Sequence, residues 1–170
     1  MNYFQLFDLP ELFTINMKKL LLKFHKLQKQ YHPDANHSSS KIEKNKFLRK
    51  TIDINKGYQI LKDPIERAKY LLRLNSYNFE LKKNNIFKKN FLHEQLKVYE
   101  KLDTLKKSSK NESKLNNFTK EIKKKEKYYL LNVEIFLNQK NWNLAATTLY
   151  KYLFYKKIKK KINEFNIHQI

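Results

Sequence analysis

The apolar and polar positions of this chain divide it into helical segments and little else. Between Met17 and Tyr31 the apolar residues Met17, Leu20, Leu21, Phe24, Leu27 and Tyr31 recur mostly in steps of three and four, while Lys19, Lys23 and Lys26 share another face. Asn16 stands where an N-cap belongs, because its side chain can accept from a free N–H of the first turn. Pro33 stops the helix by removing a donor, and it biases His32 away from helical geometry. After a loop, Ser40 and Glu43 have the spacing of a capping box, and Phe47, Thr51, Ile54, Tyr58 and Leu61 mark a second helix. Asp63-Pro64 ends that helix and opens a third: Asp63 can cap, Pro64 suits the first helical position, and Glu66 completes another box. Ile65, Ala68, Leu71 and Leu72 are its apolar partners. Ahead of all these, Tyr3, Phe4, Leu6 and Phe7 form an apolar turn or two closed by Leu9-Pro10. Residues 1–75 therefore predict two long antiparallel helices flanked by two short ones.

Residues 76–87 read as a linker in which Tyr77, Phe79 and Leu81 can pack. Three longer periodic stretches follow. The first, about 88–107, carries Phe91, Leu92, Leu96, Val98, Tyr99, Leu102 and Leu105. Ser109 with Glu112 has capping-box spacing before the second, about 110–138, whose stripe is Leu115, Phe118, Ile122, Tyr129, Val133 and Phe136. The third runs from Trp142 through Leu149, Leu153, Ile158 and Ile162. Short connections between long helices make antiparallel neighbours, so 88–170 predicts an up-down three-helix bundle. The fold class is all-α, in two domains.

Composition narrows the functions this fold can carry. One glycine and three prolines leave few of the turns that a sheet needs. A single glycine, Gly57, also excludes Walker and dinucleotide-binding loops, where several glycines let backbone approach phosphate. With no cysteine there is no disulfide, thiolate nucleophile or cysteine-ligated metal. The first twelve residues hold Asp8 and Glu11 and no basic residue, unlike a signal or transit peptide, and the longest wholly apolar run is Leu20-Leu21-Leu22. A soluble, cytoplasmic protein with no membrane partner is expected. The net charge of +21 invites a nucleic-acid reading. Yet all but three of the 37 basic residues are lysine, they are spread over both halves of the chain, and there is no basic tail. An abundance of lysine, asparagine and isoleucine is what A/T-rich codons produce, so nucleic acid is the weaker partner.

The chemistry concentrates at the end of the Met17–Tyr31 helix. His32, Asp34 and His37, with His25 earlier on the helix, could in principle hold a metal, but their spacing matches none of the familiar metal signatures. Neither a metal nor another cofactor is expected. His32 and Asp34 could act as acid and base, except that a helical hairpin offers little concavity to hold a substrate. A docking loop fits better: a carboxylate held just past a proline-stopped helix can pair with a partner's arginine, and the lysine face steers acidic surfaces toward it.

A lysine-faced helix ending in Tyr31-His32-Pro33-Asp34, a loop and an antiparallel helix resemble the J-domain of DnaJ-type co-chaperones. Tyr3-Phe4-x-Leu6-Phe7-x-Leu9-Pro10, Leu27-Gln28-x-Gln30-Tyr31-His32-Pro33-Asp34, Ile54-Asn55 and Arg67-Ala68-x-Tyr70-Leu71-Leu72 resemble the iron–sulfur co-chaperone family HscB in particular. So do Phe91-Leu92-x-Glu94-Gln95-Leu96 and the segment from Trp142 to Phe154, so that the likeness spans essentially the whole chain. The resemblance implies a non-enzymatic, bacterial co-chaperone. Its J-domain would dock on a DnaK-type ATPase, HscA, through His32, Pro33 and Asp34, with Lys23, Lys26 and Lys29 as electrostatic support. Its bundle would carry the iron–sulfur scaffold protein IscU on a patch of Leu92, His93, Leu96 and Phe154. The plainer alternative for the apolar members of that patch is bundle core. Phe91, Val98, Leu102 and Leu105 already make one stripe, which leaves Leu92, Leu96 and Tyr99 as a shoulder beside it. Two positions depart from the family pattern: His93 stands where another apolar residue is common, and Lys97 where an acid is. A general J-protein with other clients, and a basic nucleic-acid-binding helical protein, are the alternatives.

Overall fold

The structure is a computed structural model that describes residues 2–31, 41–79, 87–107 and 112–167. Among these the chain forms seven helices and no strand: α1 (Tyr3–Leu6), α2 (Met17–Tyr31), α3 (Lys41–Lys62), α4 (Pro64–Leu74), α5 (Phe87–Lys106), α6 (Glu112–Asn138) and α7 (Trp142–Ile167). They fall into two compact units, Met1–Leu71 and Leu72–Ile170.

In the first unit α2 and α3 lie against each other. The Phe24 and Tyr58 rings stack at 4.0 Å between centroids, and Leu20, Ile54 and Leu61 are fully buried. The caps at the starts of α2 and α4 follow the expected chemistry. Asn16 Oδ1 accepts from the Lys19 N–H at 3.0 Å, and Asp63 Oδ1 accepts from the N–H groups of Ile65 and Glu66 at 2.7 and 3.0 Å. The expected box at Glu66 is not completed. The Asp63 N–H already donates to the Gln59 carbonyl, the last rung of α3, so Glu66 accepts from Lys69 instead. Ser40 and Ser109 lie outside the described residues. A true capping box occurs at α1, where Asn2 Oδ1 accepts from the Gln5 N–H and Gln5 Oε1 from the Asn2 N–H.

Arg67 is buried where three segments meet. Its guanidinium donates to the Leu61 carbonyl at 2.9 Å, reaches the Met17 sulfur at 3.6 Å and lies 5.3 Å from the Phe13 ring centroid. Part of the cost of burying so polar a group is offset because the Leu61 carbonyl, near the C-terminus of α3, needs a donor.

Gly57 sets how closely α1 approaches α3. A methyl group there would meet Tyr3 Cδ1 at 2.8 Å and Phe7 Cε2 at 3.0 Å. The Tyr3 ring stacks on Tyr70 at 5.0 Å, and the Tyr3 N–H donates to the Tyr70 hydroxyl, so the ring cannot yield without moving α1. Gly57→Ala gains about 1 kcal/mol in helix propensity. It loses about 1–3 kcal/mol to overpacking. The expected result is a lower urea midpoint, whereas the same change on an open helix face would raise it.

Having one glycine, the chain ends helices with other residues in the left-handed region: Asp8 (φ 53°), Ser76 (φ 59°) and Lys140 (φ 56°). Each sits in the same hydrogen-bond pattern, with the following N–H reaching back five residues: Leu9 to Phe4, Tyr77 to Leu72 and Asn141 to Phe136. Lys140 is exposed, so Lys140→Gly should relieve about 1 kcal/mol of backbone strain and raise the melting temperature.

The second unit is built on α5, α6 and α7. Phe91, Val98, Leu102 and Leu105 of α5 meet Leu115, Phe118 and Ile122 of α6 and Phe154, Tyr155, Ile158 and Ile162 of α7 in one cluster. Tyr77 and Phe79, ahead of α5, are buried, and the Tyr77 hydroxyl donates to Asn143 Oδ1 at 3.1 Å. Asn141 caps α7 by accepting from the Leu144 N–H.

Candidate functional site

Two surfaces are candidates, one on each unit. On the first, α2 carries an outward face of Lys26 and Lys29 with Leu22, which is 71% exposed. Lys26 and Lys29 have no acidic partner among the described residues. Lys19 and Lys23 differ: both reach the Asp8 carboxylate, at 3.5 and 3.2 Å. The Lys23 hydrogen bond, then the charges of the two lysines, holds the Asp8 carboxyl below the usual carboxylate range. Lys23 is thus partly engaged within its own unit. Sequence periodicity could not reveal this, because Asp8 reaches α2 only through the left-handed turn after α1.

His32, Pro33 and Asp34, with His37, lie outside the described residues. The helix that leads to them is anchored at its last residue. Thr51 Oγ1 donates to the Tyr31 carbonyl at 2.9 Å, satisfying a C-terminal acceptor that the helix itself leaves open. The Tyr31 ring packs tilted on Phe47 at 5.8 Å, and Gln28 Nε2 donates to Asn55 Oδ1. The chain therefore leaves α2 from a point fixed on α3. Among the described residues no group of three or more His, Cys, Asp or Glu side chains could hold a metal. No described helix is long and apolar enough to cross a membrane.

On the second unit, α5 turns Phe91, Val98, Leu102 and Leu105 inward and leaves Leu92 and Leu96 half exposed, at 49% and 50%. His93 is exposed beside them. Phe154 is placed differently. It is 7% exposed and packs edge-on against Phe91 at 5.3 Å and Tyr99 at 5.7 Å. Its remaining surface lines a cleft of about 260 Å³ that it shares with Gln95, Tyr99, Tyr150, Leu153 and Lys157. Leu153, expected inside, is only half buried, and it belongs to that cleft.

Behind this surface a polar cluster joins all three helices. Lys125 Nζ of α6 donates to Glu94 Oε1 of α5 at 2.7 Å and to the Tyr155 hydroxyl of α7 at 3.0 Å, and that hydroxyl donates to Glu94. Partial burial raises the Glu94 carboxyl, but hydrogen bonds from Lys125 and Tyr155 with the charges of Lys125 and Lys151 outweigh it, leaving a net lowering. Burial first, then the bond to Glu94, pushes the Tyr155 phenol well up, so it stays a donor. One sequence signal pointed here: Phe91, Glu94 and Val98 share a stripe, which puts a carboxylate among core positions. Because Glu94 ionises more easily when folded, its contribution to stability is full above the ordinary glutamate range. It is lost as pH falls through the lowered value. A carboxyl-carbon NMR titration should place the Glu94 midpoint below that of free glutamate, and Lys125→Met should move it upward.

The comparisons with known proteins agree with both halves. Residues 2–70 match the family described as DnaJ domain, and residues 87–163 match the HSCB C-terminal oligomerisation domain. The chain is 40% identical over 171 residues to the co-chaperone protein HscB of Buchnera aphidicola subsp. Acyrthosiphon pisum (strain Tuc7), covering 99% of this chain and 97% of that one. It is 35% identical to the HscB homolog of Vibrio vulnificus (strain YJ016), covering 95% of each. Among solved structures, the chaperone HscB from Vibrio cholerae superposes with a TM-score of 0.87 at 31% identity, covering 99% of this chain and all of that one.

Proposed function

The chain belongs to the HscB family of J-domain co-chaperones, and from that premise we propose that it serves iron–sulfur cluster biogenesis by bringing a scaffold protein of the IscU type to a DnaK-type ATPase of the HscA type. It acts on its partner's ATP hydrolysis and has no catalytic residues of its own. His32, Pro33 and Asp34 dock on the ATPase, and Lys26 and Lys29 steer the approach. Lys23 contributes less than its position suggests, because Asp8 already neutralises part of its charge. Leu92, His93 and Leu96 contact the scaffold, and Phe154 supports that contact from the cleft floor.

The observation that carries the reading is the pair Leu92 and Leu96, two leucines half exposed on a helix whose core stripe is already complete. Apolar side chains left out in this way, one turn apart, are what a partner-binding helix presents. The test is a coupled ATPase assay with the purified full chain, an HscA-type chaperone and an IscU-type scaffold. Stimulation by the chain alone, with a further rise when the scaffold is added, is expected. Stimulation without any scaffold binding would indicate a general J-protein with other clients.

A further inference from the structure

We propose that the client-binding surface continues from α5 across α7 into a lysine-lined groove that receives an acidic segment of the client, an inference that rests on the scaffold-carrying reading above. The cleft floored by Phe154 is bounded by Gln95 and Tyr99 of α5 and by Tyr150, Leu153 and Lys157 of α7. Leu153 and Lys157 line both that cleft and a second one of about 430 Å³, which runs on past Lys156 and Lys160. The two adjoin along these shared residues, and we take them together as one depression. Its near end has an apolar floor of Tyr99, Leu153 and Phe154, and its far end is lined by four lysines against a single glutamate, Glu126.

That glutamate does not neutralise the groove. Its carboxylate is held by Lys159 at 2.6 Å, and Lys160 has only a long, exposed contact of 3.7 Å with Glu164. Lys156 and Lys157 have no acidic partner among the described residues. An occupant must therefore supply apolar side chains at one end and carboxylates at the other. A second copy of this chain would bring like charges together, which costs free energy. Single-stranded nucleic acid would need open aromatic faces for stacking. Here the Tyr99 ring has the Lys161 ammonium 5.0 Å from its centroid and Phe154 packed edge-on against it. An acidic protein segment fits what remains.

The experiment compares scaffold binding by the parent, by the Lys156→Glu/Lys157→Glu variant and by the neutral Lys157→Gln variant, using calorimetry in low and high salt. Both lysines are exposed, and unchanged thermal melts should verify the fold. The double variant is expected to bind about tenfold more weakly at low salt, to lose most of the parent's salt dependence, and to leave Lys157→Gln in between. Parent-like affinity and salt dependence in the double variant, with binding still lost on truncating Leu92 and Leu96, would overturn the groove and leave the scaffold reading standing. A parent that does not bind the scaffold overturns both. Self-association of the parent, or its binding of a single-stranded oligonucleotide, would assign the groove to another occupant and overturn the proposal if the double variant abolishes it.

Discussion

Asp34→Asn should leave scaffold binding at the parent value and abolish stimulation of the partner ATPase. The substitution keeps the size and shape of the side chain while removing its charge and turning one acceptor oxygen into an amide donor. The helix that precedes Asp34 has its last carbonyl tied to α3 by Thr51 and its last ring resting on Phe47, and neither contact involves the charge of residue 34. On the proposed docking role, what disappears is a charge-assisted bond to the ATPase. Truncating one member of such a pair at an interface costs about 2–5 kcal/mol. A loss of that size takes docking out of the working concentration range. The measurement is the steady-state ATP turnover of an HscA-type chaperone with saturating parent or variant protein. Equal stimulation by the two proteins would refute the docking role.

Replacing Leu92 and Leu96 together by alanine should have the second large effect, this time on the other surface. Anchors at the centre of an interface cost about 2 kcal/mol each when truncated. Scaffold affinity should therefore fall on the order of several hundredfold. ATPase stimulation by the chain alone should be unchanged, and so should the melting temperature, because both side chains are half exposed and outside the core cluster. Calorimetry against the scaffold and a thermal melt measure the two quantities. Phe154→Ala would be a poor substitute for this experiment. Phe154 is packed among Phe91, Tyr99 and Tyr155, and emptying such a site costs about 3–5 kcal/mol of stability. Any loss of binding would then report a damaged bundle.

The contrast between Leu92 and Phe154 shows how far residue spacing reaches. Periodicity separated the α5 core stripe from a shoulder because a helix face holds a limited number of positions, and Phe91, Val98, Leu102 and Leu105 filled it. On α7 the same reasoning was less informative. Buried residues occur on more than one face of that helix, including Ala145, Ala146, Tyr152, Phe154 and Tyr155, so no single period marks an outside. Leu153 and Phe154 are adjacent in sequence, and only the neighbouring helices decide which one is covered.

The sequence by itself determined the all-helical class, most of the helix ends and which positions of α5 face the core. These follow from local rules: the 3.6-residue period, the caps at Asn16 and Asp63, and proline's missing donor. The tertiary structure alone decided which charges are spent and which remain available. Asp8 engages Lys19 and Lys23 of the next helix, Glu94 collects Lys125 and Tyr155 from two others, and Lys156 and Lys157 are left exposed without an acidic partner among the described residues. The physical reason is range. Helix formation is governed by neighbours three and four residues apart, whereas an ion pair depends on distances across space, which the chain sets only when it folds.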